Sequence, residues 1–178
     1  MPTVFHDLQF FDRFTSVEVQ GHSYRILPLQ IIVWVSISPE GVGGIHDRSL
    51  RFPAIFDPAF TDEFLIHPLQ LRRFAGMRPE HLRRLGDSLR THDRLIPLHA
   101  AKLWLHRNEP GERDRFASVP AFPLDLERGI GLTTGDEIYP RLPLLGARAL
   151  RRAELQVSID YYRCRLSVRT RRKIWLFG

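Results

Sequence analysis

The sequence predicts a single, mostly β domain, and three observations support this prediction. The length of 178 residues suits one domain that buries its own core. Short apolar segments rich in Ile, Val, Leu, Phe and Trp recur between clusters of Gly, Pro, Asp and Ser. Thirteen prolines lie among these segments and favour a compact sheet with many corners. We therefore treat residues 1–178 as one domain, with its core over about residues 31–170 and a basic tail over residues 169–178.

Eight segments have strand character. In chain order they are residues 16–19, 31–37, 50–56, 63–66, 98–106, 129–132, 157–160 and 164–168. In the last two, Val157 and Ile159 alternate in one phase and Leu166 and Val168 in the other. We therefore expect a turn at residues 160–163 that joins them as an antiparallel hairpin.

Three segments have helical character: residues 68–75, 79–89 and 144–154. The third contains the run Ala-Arg-Ala-Leu-Arg-Arg-Ala, which is typical of a helix. The second stays open. Its leucines at 82, 85 and 89 suit a helical stripe, whereas Gly86-Asp87-Ser88 suits the turn of a hairpin.

The composition argues against several classes of protein. A single cysteine, Cys164, excludes an intrachain disulfide and favours a reducing compartment, so we expect a cytoplasmic protein. The longest apolar run, residues 31–35, is far below the roughly 20 residues that span a bilayer. Residues 1–14 lack the pattern of a signal peptide. The eight histidines are scattered, and residues 41–44 lack the ending of a phosphate-binding loop. We therefore expect no membrane span, no metal and no cofactor.

The net charge of +6 is concentrated near the C-terminus. Residues 141–178 carry ten basic and two acidic residues, whereas the rest of the chain carries sixteen basic and eighteen acidic residues. A basic run such as residues 169–173 can bind nucleic acid, although a solvated strand end explains it more simply. Binding to nucleic acid therefore stays an alternative, and not the favoured one.

Asp57 is the most informative residue. It follows the apolar strand predicted at residues 50–56 and precedes Pro58-Ala59, after which a second apolar strand begins. A carboxylate at the mouth of an apolar corner is partly desolvated and can take part in acid–base chemistry. An aspartate before a proline is also a common turn residue, so the motif needs further context.

A second segment supplies that context: an apolar-apolar-Gly turn at residues 144–146, followed by a predicted helix and a closing hairpin. Together the two segments resemble the retropepsin-like aspartic proteases, bacterial members in particular. By that resemblance, Asp57 stands at the catalytic position. The remaining positions are an active-site loop of Pro58, Ala59, Phe60 and Thr61, an apolar-apolar-Gly turn of Leu144, Leu145 and Gly146, and a flap over residues 85–99 with its turn at Thr91, His92, Asp93 and Arg94.

The resemblance implies a closed β-barrel subunit with one or two short helices and an endopeptidase activity. Because the chain has one such aspartate, it also implies a homodimer in which two copies of Asp57 meet at a two-fold axis and share a proton. In this family the chain ends form the sheet that the two subunits share. The partners would be a second copy of the chain and a peptide or protein substrate.

The motif departs from the family at two positions. Pro58 stands where the family has Thr or Ser, and it offers neither a hydroxyl nor an N–H. Ala59 stands where the family has Gly, and it adds a Cβ. Two alternatives therefore remain beside the peptidase: a catalytically impaired scaffold or peptide-binding protein on the same fold, and a basic nucleic-acid-binding β protein.

Overall fold

The computed structural model describes residues 3–44, 49–90, 94–106, 121–133 and 141–171. In this part of the chain, strands far outnumber helices, which confirms the mostly β prediction. The strands are β1 Thr3–Gln9, β2 Thr15–Val19, β3 His22–Ile26, β4 Ile31–Pro39, β5 Phe52–Asp57, β6 Phe64–Ile66, β7 Arg84–Arg90, β8 Leu95–His99, β9 Ala101–His106, β10 Phe122–Asp125, β11 Ile130–Leu132, β12 Leu144–Gly146, β13 Leu155–Asp160 and β14 Arg165–Thr170. The helices are α1 Pro68–Ala75 and α2 Ala147–Arg152.

One of the helix predictions needs correction, and the structure decides the segment that the sequence left open. Residues 79–89 are not a helix: a single 3₁₀ turn at Pro79–His81 leads into β7, whose residues pair with β8. The segment 144–154 begins as β12, and only Ala147–Arg152 is helical. In each case pairing with a distant strand outweighs the local preference for helix. The predicted strand at residues 98–106 is likewise divided, since Ala100 separates β8 from β9.

The strands form three sheets. The largest has nine strands in the order β10-β9-β4-β5-β12-β6-β11-β8-β7. A three-stranded sheet has the order β1-β14-β13, and β2 and β3 form a hairpin of their own. The prediction of a closed barrel is not met within the described residues, because closure would require β10 to pair with β7 and these strands lie at opposite ends of the order.

Strands β4, β5 and β9 contribute many of the buried apolar side chains of the core. Trp34 and Phe52 are fully buried, and the ring of Phe52 stacks on that of Phe74 from α1 with 5.7 Å between centroids. Helix α1 therefore packs at the end of β5 where the strand begins. Among the described residues, no helix is both long and apolar enough to cross a membrane.

The centre of the large sheet determines where Asp57 lies. Strands β5 and β6 follow each other in sequence, yet β12 lies between them. It runs parallel to β5 and antiparallel to β6. The chain must therefore pass over the end of β12 as it travels from β5 to β6, and this crossing segment begins at Asp57.

Candidate active site

Asp57 is the last residue of β5 and lies beside Gly146, the last residue of β12. The register of the parallel pair matches Ile55 with Leu144, Phe56 with Leu145, and Asp57 with Gly146. The two segments that the sequence singled out are thus brought together, although 89 positions separate Asp57 from Gly146 in the chain.

The chain turns sharply after Asp57. The backbone N–H of Phe60 donates to the carbonyl oxygen of Asp57 at 3.1 Å, and the N–H of Ala59 donates to its side-chain Oδ1 at 2.9 Å. Pro58 occupies the second position of this turn, where its fixed φ is favourable. These bonds are those of an Asx turn, which occurs at many strand ends, so they orient the carboxylate without identifying its role.

Gly146 shows how tightly the crossing segment is packed. A Cβ built on Gly146 would lie 1.9 Å from the carbonyl oxygen of Asp62 and 2.7 Å from that of Phe60. The N–H of Gly146 donates to the carbonyl oxygen of Glu63 at 2.9 Å. Its φ of −90° is open to any residue, so glycine is required here for space rather than for backbone conformation. The Asp57 turn and the end of β12 therefore form one packed unit.

The hairpin predicted as a flap packs beside this unit. Strands β7 and β8 pair as an antiparallel hairpin, and a small apolar cluster lies beneath it. The cluster contains Leu65, Leu89, Ile96 and Leu98, with Phe60, Leu85 and Leu144 packed against it. Phe60 thus connects the hairpin to the Asp57 turn. Of the predicted tip, Arg94 is exposed, whereas Thr91, His92 and Asp93 lie outside the described residues. Thr61 is exposed, as are Pro58 and Ala59.

Sequence reasoning missed the buried acidic pair Asp62-Glu63, which follows the active-site loop. The Glu63 carboxylate accepts the backbone N–H groups of Glu127 at 2.9 Å and Arg128 at 2.7 Å. The Arg128 guanidinium donates to Asp62 Oδ1 at 2.8 Å. Two adjacent acids directly before a buried strand were a signal that a partner was needed, but the position of that partner depends on the fold.

Arg128 also reaches the hairpin. Its second terminal nitrogen lies 3.3 Å from Asp87 Oδ2 and 3.5 Å from the carbonyl oxygen of Ser88. The backbone N–H of Ser88, and then Arg128, hold the pKa of Asp87 below its ordinary value. Arg128 therefore bridges the crossing segment and β7, two elements that have no strand pairing with each other.

No family model, curated protein or solved structure matches this chain. In the chain's own geometry, Asp57 is a carboxylate with one oxygen oriented by the backbone N–H of Ala59. It begins a turn that packs closely against Gly146.

Histidines do not contribute a metal centre in the part of the chain that the structure describes, where no group of three or more His, Cys, Asp or Glu side chains could hold an ion. His99 and His106 are both buried, on β8 and β9 respectively. His106 Nε2 lies 2.9 Å from Ser36 Oγ, and that hydroxyl already donates to the carbonyl oxygen of Leu50. His106 must therefore donate from Nε2. Burial, with a smaller contribution from Arg51, lowers its pKa to about 3.

Proposed function

We propose that this protein is a retropepsin-like aspartic endopeptidase that acts as a homodimer, with Asp57 as the catalytic residue of each subunit. The observation that carries the proposal is the position of β12 between β5 and β6, which brings Gly146 beside Asp57 and closes the turn over it. An ordinary Asx turn between neighbouring strands needs no such crossing. We propose the retropepsin-like fold of the subunit from the same position of β12 between β5 and β6.

The chemistry needs two carboxylates. Two such groups a few ångströms apart do not both ionise readily, so they hold one proton between them and titrate as a pair. The ionised member activates a water that attacks the peptide carbonyl, and the protonated member donates to the carbonyl oxygen. Each subunit supplies one Asp57, and a two-fold axis relates the two.

The residues around Asp57 support this role. The Ala59 N–H fixes one carboxylate oxygen, which leaves the other available for the water or the substrate. The β7–β8 hairpin, held to the turn through Phe60 and Arg128, would cover an extended peptide. Peptides or proteins are therefore the proposed substrates. The single free thiol, Cys164, supports a reducing compartment such as the cytoplasm.

A second candidate is a catalytically impaired scaffold that binds peptides without cleaving them. The observation that favours it is Pro58, which has no hydroxyl to connect the two active-site turns across the axis. Ala59 has a methyl group that the family's glycine lacks, but it retains the N–H that donates to Asp57 Oδ1. The two candidates share a fold and a dimer, and they differ only in turnover.

Cleavage of a mixed peptide library separates these candidates. The purified protein is compared with Asp57→Asn and with a control, Asp125→Asn, which changes an exposed carboxylate on β10 at the end of the strand order of the large sheet. Cleavage by the natural chain and by the control, but not by Asp57→Asn, would support the peptidase, and cleavage that survives Asp57→Asn would contradict it.

The double substitution Pro58→Thr/Ala59→Gly tests the second candidate. If the natural chain is inactive and this variant cleaves in an Asp57-dependent manner, the impaired scaffold is the correct function. If neither protein cleaves, the Asp57 site has no peptidase chemistry.

A further inference from the structure

Four exposed apolar residues lie at or next to the open end of the β2–β3 hairpin, Phe11, Phe14, Leu27 and Leu29, with the Arg25 guanidinium carbon 3.9 Å from the centroid of the Phe14 ring. Thr15 pairs with Ile26, so Phe14 and Leu27 lie one residue beyond the same end of the ladder. The N–H of Leu29 donates to the carbonyl oxygen of Phe11 at 2.7 Å. We refer to these four residues as the Leu29 platform.

Leu29 occupies a backbone conformation that does not suit it. The turn Leu27-Pro28-Leu29-Gln30 is closed by a 3.2 Å bond from the Gln30 N–H to the carbonyl oxygen of Leu27. Leu29 has φ of +65° at the third position, where such turns favour glycine. Its side chain is nevertheless 46% exposed, so burial within this subunit does not explain why a leucine is present.

The platform lies near the end of β5 at which Asp57 is found. Strand β4 begins at Ile31, which pairs with Phe56, the residue before Asp57. Leu29 is two residues before Ile31, so its Cα lies on the order of 10 Å from that of Asp57, given ordinary strand spacings. With two copies of Asp57 within a few ångströms of each other at a two-fold axis, Leu29 of each copy lies near that axis.

Strand β14 cannot pair with a second copy, whereas the outer edges of β1 and β13 carry no partner strand among the described residues. In the retropepsin-like proteases the chain ends form the sheet that the two subunits share. Here β14 already has β1 on one side and β13 on the other, both from the same chain. A second copy cannot add a strand to either edge of β14.

We propose that the Leu29 platform is part of the interface with a second copy of this chain, across the two-fold axis at Asp57. This inference rests on the proposed function, since the dyad is incomplete without the second copy. Apolar side chains at the centre of an interface exclude water from it, which also lowers the dielectric around the shared proton.

Leu29→Gly tests the proposal without damaging the fold. Glycine suits a φ of +65°, so at a protein concentration where both proteins are monomeric the variant should unfold at the same denaturant concentration as the natural chain, or at a higher one. The matched control is Leu69→Ala, which removes a leucine of similar exposure, 52%, from α1 at the opposite end of β5. Sedimentation equilibrium over a range of protein concentrations gives the dimer dissociation constant of each.

We expect Leu29→Gly to raise the dissociation constant at least tenfold and Leu69→Ala to leave it within twofold. A dimer unaffected by Leu29→Gly, or a natural chain that is monomeric at every concentration, would overturn the inference. The proposed function is judged separately, by Asp57-dependent cleavage. A dimer that depends on Leu29 but does not cleave peptides would therefore retain this inference and reject the peptidase.

Discussion

Gly146 is the residue on which the position of the Asp57 turn depends most directly. Its hydrogen atom faces carbonyl oxygens of the crossing segment, at a distance where a methyl group has no room. The family resemblance singled out this glycine from its place in an apolar-apolar-Gly turn. The structure adds the physical reason for it, which is steric.

We expect Gly146→Ala to lower the free energy of unfolding by about 1–3 kcal/mol, the usual cost of overpacking, and to abolish any activity that depends on Asp57. Urea denaturation measures the first effect. The control is Gly43→Ala, where a Cβ would meet no atom within 4 Å and the backbone is not left-handed. Equal stability of the two variants would show that the crossing segment does not pack against Gly146 as described.

His106 is a buried imidazole whose titration couples stability to pH. Its pKa is lowered to about 3 in the folded protein, against an ordinary value of 6.5. The folded state therefore keeps His106 neutral, while the unfolded chain gains a proton as the pH falls through 6.5. The stabilisation from His106 is complete above that pH and declines toward pH 3.

Between pH 7 and pH 5, the natural chain should lose roughly 2 kcal/mol of unfolding free energy that His106→Gln does not lose. Burial also lowers the pKa of His99, but that contribution is common to both proteins and cancels in the comparison. Urea denaturation at several pH values measures the difference, and His22→Gln at an exposed site serves as the control. Parallel pH profiles for the natural chain and His106→Gln would contradict this account.

At the scale of elements, Arg128 connects the β7–β8 hairpin to the crossing segment between β5 and β6. Its partner Asp62 is almost completely buried, with a side chain that is 7% exposed, so loss of the guanidinium leaves a buried carboxylate unpaired. We expect Arg128→Gln to lower the unfolding free energy by about 1–3 kcal/mol. Amide hydrogens of β7 should also exchange faster.

The control for Arg128 is Arg83, which pairs with Glu40 on the surface, where both side chains are more than half exposed. Arg83→Gln should change stability by less than about 0.5 kcal/mol, as exposed ion pairs usually do. If the two variants lose equal stability and β7 exchanges no faster in Arg128→Gln, the bridge from Asp62 to the hairpin contributes nothing.

Elements with local signals were predicted well. Helix α1 has the predicted bounds, because Pro68 begins it, Gly76 ends it at φ +65°, and Gln70 completes a capping box with His67. The turn between β13 and β14 follows from alternation alone.

By contrast, β7 carries leucines at helical spacing and becomes a strand because β8 pairs with it. Residues 144–146 were predicted as the start of a helix, but they form β12 because β5 and β6 pair with them on either side.

The candidate site combines both kinds of residue. Asp57, the residues up to Thr61 and the 144–146 turn were proposed from the sequence, because a resemblance in short motifs needs no knowledge of the fold, and the structure places Asp57 beside Gly146. Arg128 and the Leu29 platform were missed, since their roles depend on which loops the sheet brings together. The nearness of Leu29 to Asp57 follows only from the pairing of Ile31 with Phe56.

For the whole molecule, the C-terminal basic region is partly neutralised by local contacts. Arg152 pairs with Glu127, and Arg163 lies 3.9 Å from Asp160. These contacts reduce the positive charge available to a nucleic acid. We propose the dimer with Asp57 at its axis as the assembly of this protein.

Disulfide trapping at the proposed axis tests that assembly most directly. Asp57→Cys is made in a Cys164→Ser background, and the protein is oxidised at a concentration where the natural chain is dimeric. A disulfide forms only when the two Cα atoms approach within about 7 Å. The control is Leu69→Cys, at the opposite end of β5. We expect a covalent dimer on a non-reducing gel for Asp57→Cys and none for Leu69→Cys. An Asp57→Cys variant that is dimeric in solution but never crosslinks would contradict it.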